Sequence, residues 1–476
     1  MTQKYETVIG LEVHVQLATK SKAFCGCSTK FGQKPNSSVC SVCLGLPGVL
    51  PVLNKEAFRF ALTAALALNC QIQERVKFDR KNYYYPDLPK NYQISQYDMP
   101  LAFRGYLNIL SKGQKRINIT RVHLEEDAGK LIHDPNKSVS YVDYNRAGTP
   151  LLEIVSEPEI RSADEAYEYL KNLKAILLYL GVSDCNMEEG SLRCDANISI
   201  RKMGDKKLGT KVELKNMNSF KAVRLALITE ERDLVTKLEN GTPIIQATKL
   251  WNAETLSTAI MRTKEETQEY RYFPEPDLVP FVVDKKEAAL IKETLPELPE
   301  ERKKRFISEF ELTDTEAEVI IADKAIADYF EKALNLYNQP KKISNWLAGD
   351  IMSELNLRNI SISQLQFLPE GLAELLNLID NKTISGKMAK DVLKECIAKG
   401  KSPNVIVKEG GLRQISDESE IEGVINDVII SNDKAANDFK NGKENALTFL
   451  VGKVMQKTKG KANPAVVNKL LRDALK

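Results

Sequence analysis

The hydrophobic period of this chain changes once, near Pro296–Pro299, and that change divides the folds open to it. Upstream, apolar and polar residues alternate. From Glu6 to Leu17, the residues Leu11, Val13, Val15 and Leu17 share one side while Glu12, His14 and Gln16 share the other. A period of two is that of a strand with one buried face. Arg116–Asp127, Tyr141–Tyr144, Leu151–Val155, Ser191–Arg201 and Gly209–Lys215 read as strands on the same ground. Three helices interrupt them. Asn54 N-caps a helix to Asn69 that is expected to bury Phe58, Leu62, Ala65 and Leu66. Ser162-Ala-Asp-Glu165 is a capping box opening a helix that ends near Gly181. A third runs from about Ser219 to Leu238 and stops at Asn240-Gly241.

Beyond Glu300 the period is almost wholly 3.6 until Gly400-Lys-Ser-Pro403 and Gly410-Gly411 break it. A last helical stretch spans about Asp417–Lys476. A chain of 476 residues suits about three domains at roughly 150 residues each. The sequence therefore predicts an α/β domain over residues 1–292, a mixed sheet with inserted helices. An all-helical domain over 293–403 and a small helical tail domain over 404–476 are expected to follow.

Within a loop at 22–45, Cys25-x-Cys27 is separated by twelve residues from Cys40-x-x-Cys43. That spacing brings four thiolates within reach of one soft divalent ion, usually zinc. The polar segment between them, with Lys34, Pro35, Asn36 and Ser37, is turn-forming, as a loop between ligand pairs should be. Two disulfides, or four unrelated buried thiols, are the alternatives. A closed four-thiolate site has no open position for substrate, so it would fold a loop while the chemistry lies elsewhere. Cys70, Cys185, Cys194 and Cys396 are scattered, which suits reduced thiols in a cytoplasmic protein. No run approaches the ~20 apolar residues of a membrane span, and Met1–Glu6 has no apolar signal core.

The polar faces of the strands suggest where that chemistry is. Arg121, His123, Glu125 and Asp127 share a face, as do Asp143 and Asn145, and Arg193, Asp195 and Asn197. Glu153 sits in an apolar run, where an unpaired charge would cost several kcal/mol. Any one solvent-facing strand alternates. Five that cluster carboxylates, imidazole and amides predict the floor of a hard-metal site, and Mg2+, which keeps nucleotide phosphates in its shell, suits it. Arg80 and Lys81, beside Asn82-Tyr-Tyr-Tyr-Pro-Asp87, would add cationic donors for phosphate or an oxyanion. There is no Walker A sequence, no G-x-S-x-G and no Gly/Ser-rich Ser–Lys amidase signature. The net charge of +3 is unevenly spread, since residues 440–476 hold nine basic and two acidic side chains. Such a concentration favours a polyanion such as tRNA.

Longer motifs carry a resemblance. Gly10-Leu-Glu-Val-His-Val-Gln-Leu17, Phe78-Asp-Arg-Lys-Asn-Tyr-Tyr-Tyr-Pro-Asp87 and His123-Leu-Glu-Glu-Asp-Ala-Gly-Lys130 come first. Asn145-Arg-Ala-Gly-Thr-Pro-Leu-Leu-Glu-Ile-Val-Ser-Glu-Pro158, Met187-Glu-Glu-Gly-Ser-Leu-Arg-Cys-Asp-Ala-Asn197, Glu213-Leu-Lys-Asn-Met-Asn-Ser-Phe220 and Arg271-Tyr-Phe-Pro-Glu-Pro-Asp277 follow. Together they resemble the B subunit of the bacterial and organellar aspartyl/glutamyl-tRNA amidotransferase. Phe449-Leu-Val-Gly-Lys-Val-Met455 and Lys459-Gly-Lys-Ala-Asn-Pro464 extend the likeness into the tail.

The resemblance implies a kinase and transamidase in a cradle domain, with an amidase (the A subunit) and a small C subunit as its partners. Misacylated Glu-tRNA(Gln) or Asp-tRNA(Asn) would be phosphorylated by ATP on its side-chain carboxylate. Ammonia from the amidase would then displace phosphate. Carried onto this sequence, Glu12, His14 and Glu125 are the expected magnesium ligands, with Glu153 and Asp195 as further candidates and Lys81 as a catalytic cation. Arg80, Lys81, Asn145, Arg193 and Asn197 would bind ATP, and Lys453, Lys457, Lys459 and Lys461 the tRNA. The quartet Cys25, Cys27, Cys40 and Cys43 is present in some members of the family and absent from others, which makes its zinc structural. The competing reading is a non-catalytic tRNA-binding scaffold.

Overall fold

The computed structural model describes residues 4–111, 113–134, 136–263, 270–412, 418–458 and 462–475. These form two compact units, Met1–Pro299 and Glu300–Lys476. The first is built on a nine-stranded sheet. In chain order its strands are β1 (Tyr5–Gln16), β2 (Gln71–Ile72), β3 (Ala102–Ser111), β4 (Gly113–Glu126), β5 (Pro150–Ser156), β6 (Leu192–Lys202), β7 (Val212–Lys215), β8 (Ala247–Asn252) and β9 (Ser257–Thr263). Their order across the sheet is β9-β8-β7-β6-β1-β5-β4-β3-β2, so the first strand of the chain lies at its centre. Only the β7–β8 pair is parallel, which makes the sheet mixed.

Alternation along β1 sends Val13 and Val15 into a common apolar core with Leu62, Leu170 and Leu227 of the three inserted helices. Those helices are Lys55–Ala67, Ala163–Leu180 and Phe220–Glu239. The first meets the core through Ala57, Ala61, Ala64 and Ala65, small side chains that allow close approach. Asn54 caps it as expected, accepting from the Glu56 and Ala57 amides. Ser162 likewise caps the second helix through the Glu165 amide, but the reciprocal half of the capping box is replaced. The Glu165 carboxylate instead accepts from the Arg161 amide, Ser111 and Lys115, tying the helix to β3 and β4.

Two expectations change. Tyr141–Tyr144 does not join the large sheet: Ser140–Asp143 pairs with Lys130–His133 in a separate two-stranded ribbon. A short sequence alternates in either setting, and pattern alone does not say which strand it pairs with. The break expected after residue 292 also moves. Ala288, Ile291, Leu295 and Leu298, on and just beyond the helix Lys285–Glu293, pack against the core of the first unit, which runs to Pro299.

The second unit is helical, and no strand forms among its described residues. It holds two apolar cores. One gathers Phe306, Phe330, Leu347, Leu372 and Val392, and the other Ile421, Ile425, Leu450, Val454 and Leu471. The expected boundary at 403/404 falls at the start of the helix Pro403–Glu409, whose Ile406 and Val407 are buried in the first of these cores. Among the described residues no helix is long and apolar enough to cross a membrane.

Candidate catalytic cavity and thiolate cluster

Register sets the site. His14 on β1 lies opposite Arg193 on β6 and Glu153 on β5, and Glu153 lies opposite His123 on β4. Four adjacent strands thus place Arg193, His14, Glu153 and His123 in one row on the face away from the helices. Two residues along, Glu12 faces Asp195. The opposite faces of the same strands are apolar, which buries the polar row without leaving the sheet unsupported.

The side chains converge. His14 Nε2 lies 3.4 Å from Glu153, 3.7 Å from Glu12 and 3.8 Å from Glu125. His123 Nε2 lies 3.2 Å from Glu153 and 3.5 Å from Glu125. Ser95 donates to Glu125 at 2.9 Å. A cavity of about 670 Å3 opens over them, also lined by Lys81, Asp195, Arg193, Arg121, Lys215 and four tyrosines. Burial disfavours charge on Glu153, yet His123 and His14 outweigh it and hold the carboxyl well below its usual range. Burial, Glu153 and Asp195 push Glu12 the other way, and His14 and Lys215 offset this only in part. His123, despite its burial, is raised to about 9 by Glu153 and Glu125. Burial opposes the charge of Lys81 too, but Glu125, Tyr272 and Tyr270 keep its pKa raised.

Two groups of donor atoms are compact enough for one cation each: Glu12, His14 and Glu153, and His123, Glu125 and Glu153. Within either group the atoms lie within 4.8 Å of one another. Three carboxylates around two imidazoles form an oxygen-rich donor set, which a small hard divalent cation fits better than a thiophilic one.

Not every expected residue reaches the cavity. Lys81 lines it, but its neighbour Arg80, on the other side of the strand Asp79–Asn82, binds Glu275 at 2.7 and 2.8 Å and Asp277 at 3.4 Å. Asn145 accepts from the Ser38 amide at 2.8 Å and donates to the Lys34 carbonyl at 2.6 Å, so it fastens the cysteine loop. Asn197 lines two smaller clefts of about 210 and 290 Å3 that share Glu12 with the main cavity. In the tail, Lys453 lies over the Phe449 ring and Lys457 pairs with Asp427 at 2.7 Å. Lys459 and Lys461 fall outside the described residues.

The cavity also recruits residues to which the sequence assigned no individual role. Asp127 binds Arg193 at 2.8 Å and Gln16 at 2.7 Å, which fixes the guanidinium at the end of the polar row. Lys215 pairs with Asp195 and, at 3.2 Å, with Glu213. The alternation Glu213-x-Lys215 carried that signal. Tyr97 stacks on Tyr272 with centroids 4.3 Å apart, and Tyr83 and Tyr270 stand beside them. They come from two parts of the chain, Tyr83 and Tyr97 from one and Tyr270 and Tyr272 from the other, so no local period could announce their meeting.

The four sulfurs of Cys25, Cys27, Cys40 and Cys43 lie within 4.8 Å of one another, and all four thiols are free. A single four-way cluster of this size could hold one metal ion, as a tetrahedral thiolate site requires. The Cys40 amide donates to Cys43 Sγ at 3.1 Å. Hydrogen bonding from Cys25, with the Cys40 amide and Lys22, draws the Cys43 thiol down to about 4 against its burial.

Residues 7–289 match the family described as the GatB/GatE catalytic domain, and residues 328–475 match the GatB domain. The chain is 57% identical over 477 residues to the aspartyl/glutamyl-tRNA(Asn/Gln) amidotransferase B subunit of Carboxydothermus hydrogenoformans, with 99% of each chain covered. The proteins of that name in Moorella thermoacetica and Brevibacillus brevis are 55% and 51% identical. The likeness covers 99% of this chain and at least 99% of each relative.

Proposed function

The chain belongs to the B-subunit family of aspartyl/glutamyl-tRNA(Asn/Gln) amidotransferases, and on that premise we propose that the polar row of its sheet is the kinase and transamidase centre. The reaction converts misacylated Glu-tRNA(Gln) or Asp-tRNA(Asn) to Gln-tRNA(Gln) or Asn-tRNA(Asn). The side-chain carboxylate of the esterified amino acid attacks the γ-phosphoryl of ATP, giving an acyl phosphate and ADP. Ammonia from the amidase partner then displaces phosphate to leave the amide, while the small third partner braces the pair.

The observation that carries this reading is the convergence of Glu12, His14, His123, Glu125 and Glu153 with Lys81 on one cavity. A magnesium ion bound by these carboxylates and imidazoles would neutralise charge on the phosphates during in-line transfer. Lys81, kept cationic, meets the negative charge that develops on the transferred or acyl oxygens. Arg193, oriented by Asp127, offers a second anion donor at the other end of the row. Zinc in the thiolate cluster would hold the loop at 22–45 without entering the reaction. The basic helices of the tail would supply phosphate contacts to the tRNA.

The pure scaffold reading makes the opposite prediction for one experiment. Glu125→Gln should lower ATP-dependent phosphorylation of Glu-tRNA by about 10²-fold or more, the scale of losing one group that acts on transition-state charge. The affinity for tRNA should be unchanged. Phosphorylation at the wild-type rate in the reconstituted three-subunit enzyme would remove the centre from this sheet.

A further inference from the structure

Lys22 is fully buried. Its ammonium nitrogen lies 3.6 Å from Cys43 Sγ and 3.3 Å from the carbonyl oxygen of Tyr144. Among the described residues it has no carboxylate partner. A buried cation whose hydrogen-bond partners are a carbonyl and a thiol is costly, and proteins keep one when an anion stands beside it. Gly148, at φ +83°, adopts the left-handed conformation that favours glycine, and a Cβ there would make ordinary contact with Lys22 Cδ at 3.4 Å, Cys43 Cβ at 3.5 Å and Glu126 Oε2 at 3.7 Å; the Glu126 carboxylate is itself claimed by Lys90 and the Ile94 amide.

We infer that Lys22 is the charge-balancing donor of the thiolate centre, giving an N–H···S hydrogen bond to Cys43. The inference rests on reading the four cysteines as ligands of one metal ion. Four thiolates around a divalent cation leave two net negative charges in a partly buried loop, and a fixed ammonium offsets one of them. The same ammonium reaches the Tyr144 carbonyl, so it fastens the cluster to the segment that leads into β5. Asn36 binds that segment too, donating to the Val142 carbonyl and accepting from the Tyr144 amide. Lys22 is therefore a positioning residue: it touches a metal ligand and the backbone before the strand of Glu153, not the reacting atoms.

The test compares full-length wild type, Lys22→Met and Lys22→Arg, each loaded with zinc, by the rate at which zinc passes to an excess of chelating dye. Met keeps an apolar stem of nearly the same reach but removes the charge, whereas Arg keeps charge and donors in a larger head. The methionine variant should release zinc about 10- to 100-fold faster, as losses of outer-shell partners do, and the arginine variant within a few fold of wild type. Equal release from all three overturns the inference, and so does equally fast release from both variants, which would mark a packing role. Wild type purified without zinc would instead sink the metal reading itself. A measurement that needs no substitution guards against a variant that fails to fold. In wild type carrying cadmium-113 and nitrogen-15 lysine, the Lys22 ammonium protons should exchange slowly and show contact with the Cys43 β-protons. A freely exchanging ammonium would overturn the inference.

Discussion

Arg80 and Lys81 are adjacent cations whose surroundings assign them different work. Sequence placed both near phosphate, because their charge and their aromatic neighbours are legible in it. It did not show that Glu275, almost two hundred residues later, claims one of them. Arg80 is bound bidentately to that fully buried carboxylate, and Lys81 faces the cavity. Arg80→Met should therefore destabilise the first unit by about 3 kcal/mol by leaving the Glu275 charge unpaired, measured by urea unfolding. Lys81→Met should leave the unfolding midpoint nearly unchanged while lowering phosphorylation about 10²-fold. Equal effects of the two on stability would contradict the division of roles. Glu165 gives a pH dependence at the same scale. Burial opposes its charge, yet Lys115, the Arg161 amide and Ser111 outweigh burial and hold its pKa below the ordinary value of 4.5. Its contribution to stability is thus fully present above about pH 4.5 and is lost as pH falls through the lower folded value. Glu165→Gln should flatten that part of the acid unfolding profile, and an unchanged profile would show that the contacts are not made in solution.

Among the elements, the strands that one buried face marks were readable, and so were the residues on their polar sides. Glu12, His14, Glu125 and Glu153 come together because β1, β4, β5 and β6 alternate in phase and pair in fixed register. The ribbon Ser140–Asp143 was not readable as separate, since four residues of alternation do not specify a partner. Asp143 and Asn145 consequently serve the cysteine loop instead of the cavity: Asp143 accepts from the Asn36 amide and Asn145 from the Ser38 amide. That stitching predicts where metal loss is felt. On the proposed zinc reading, Cys40→Ser should remove stoichiometric zinc on elemental analysis and should raise hydrogen exchange at the Asn36, Ser38 and Tyr144 amides. Protection at those amides that survives zinc removal would mean that the loop holds itself.

For the whole molecule, the change of period marked the passage from sheet to helices, but the end of the middle helical core was hidden. Ile406 and Val407 complete that core from between Gly400-Lys-Ser-Pro403 and Gly410-Gly411, so a clean truncation removes residues 413–476 rather than everything after residue 404. The truncated chain should bind tRNA more weakly and with a smaller salt slope, by roughly 0.7–0.9 for each phosphate no longer neutralised. The slope should fall by less than nine basic residues suggest. Lys457, Arg472 and Lys443 are already paired with Asp427, Glu444 and Asp438. Amide transfer at saturating tRNA should fall less than affinity, because the cavity belongs to the first unit. A salt slope untouched by truncation would put the tRNA contacts elsewhere.

The central place of β1 carries a consequence for synthesis. It is made first, yet its sheet neighbours β5 and β6 begin at Pro150 and Leu192. At about 5–20 residues per second, translation leaves an amphipathic strand without either edge partner for on the order of ten seconds. During that interval Val8, Leu11, Val13 and Val15 have no sheet to enter. The nascent chain should therefore be a client of ribosome-associated chaperones until β5 emerges, and its dependence on them should end once about 200 residues have been made.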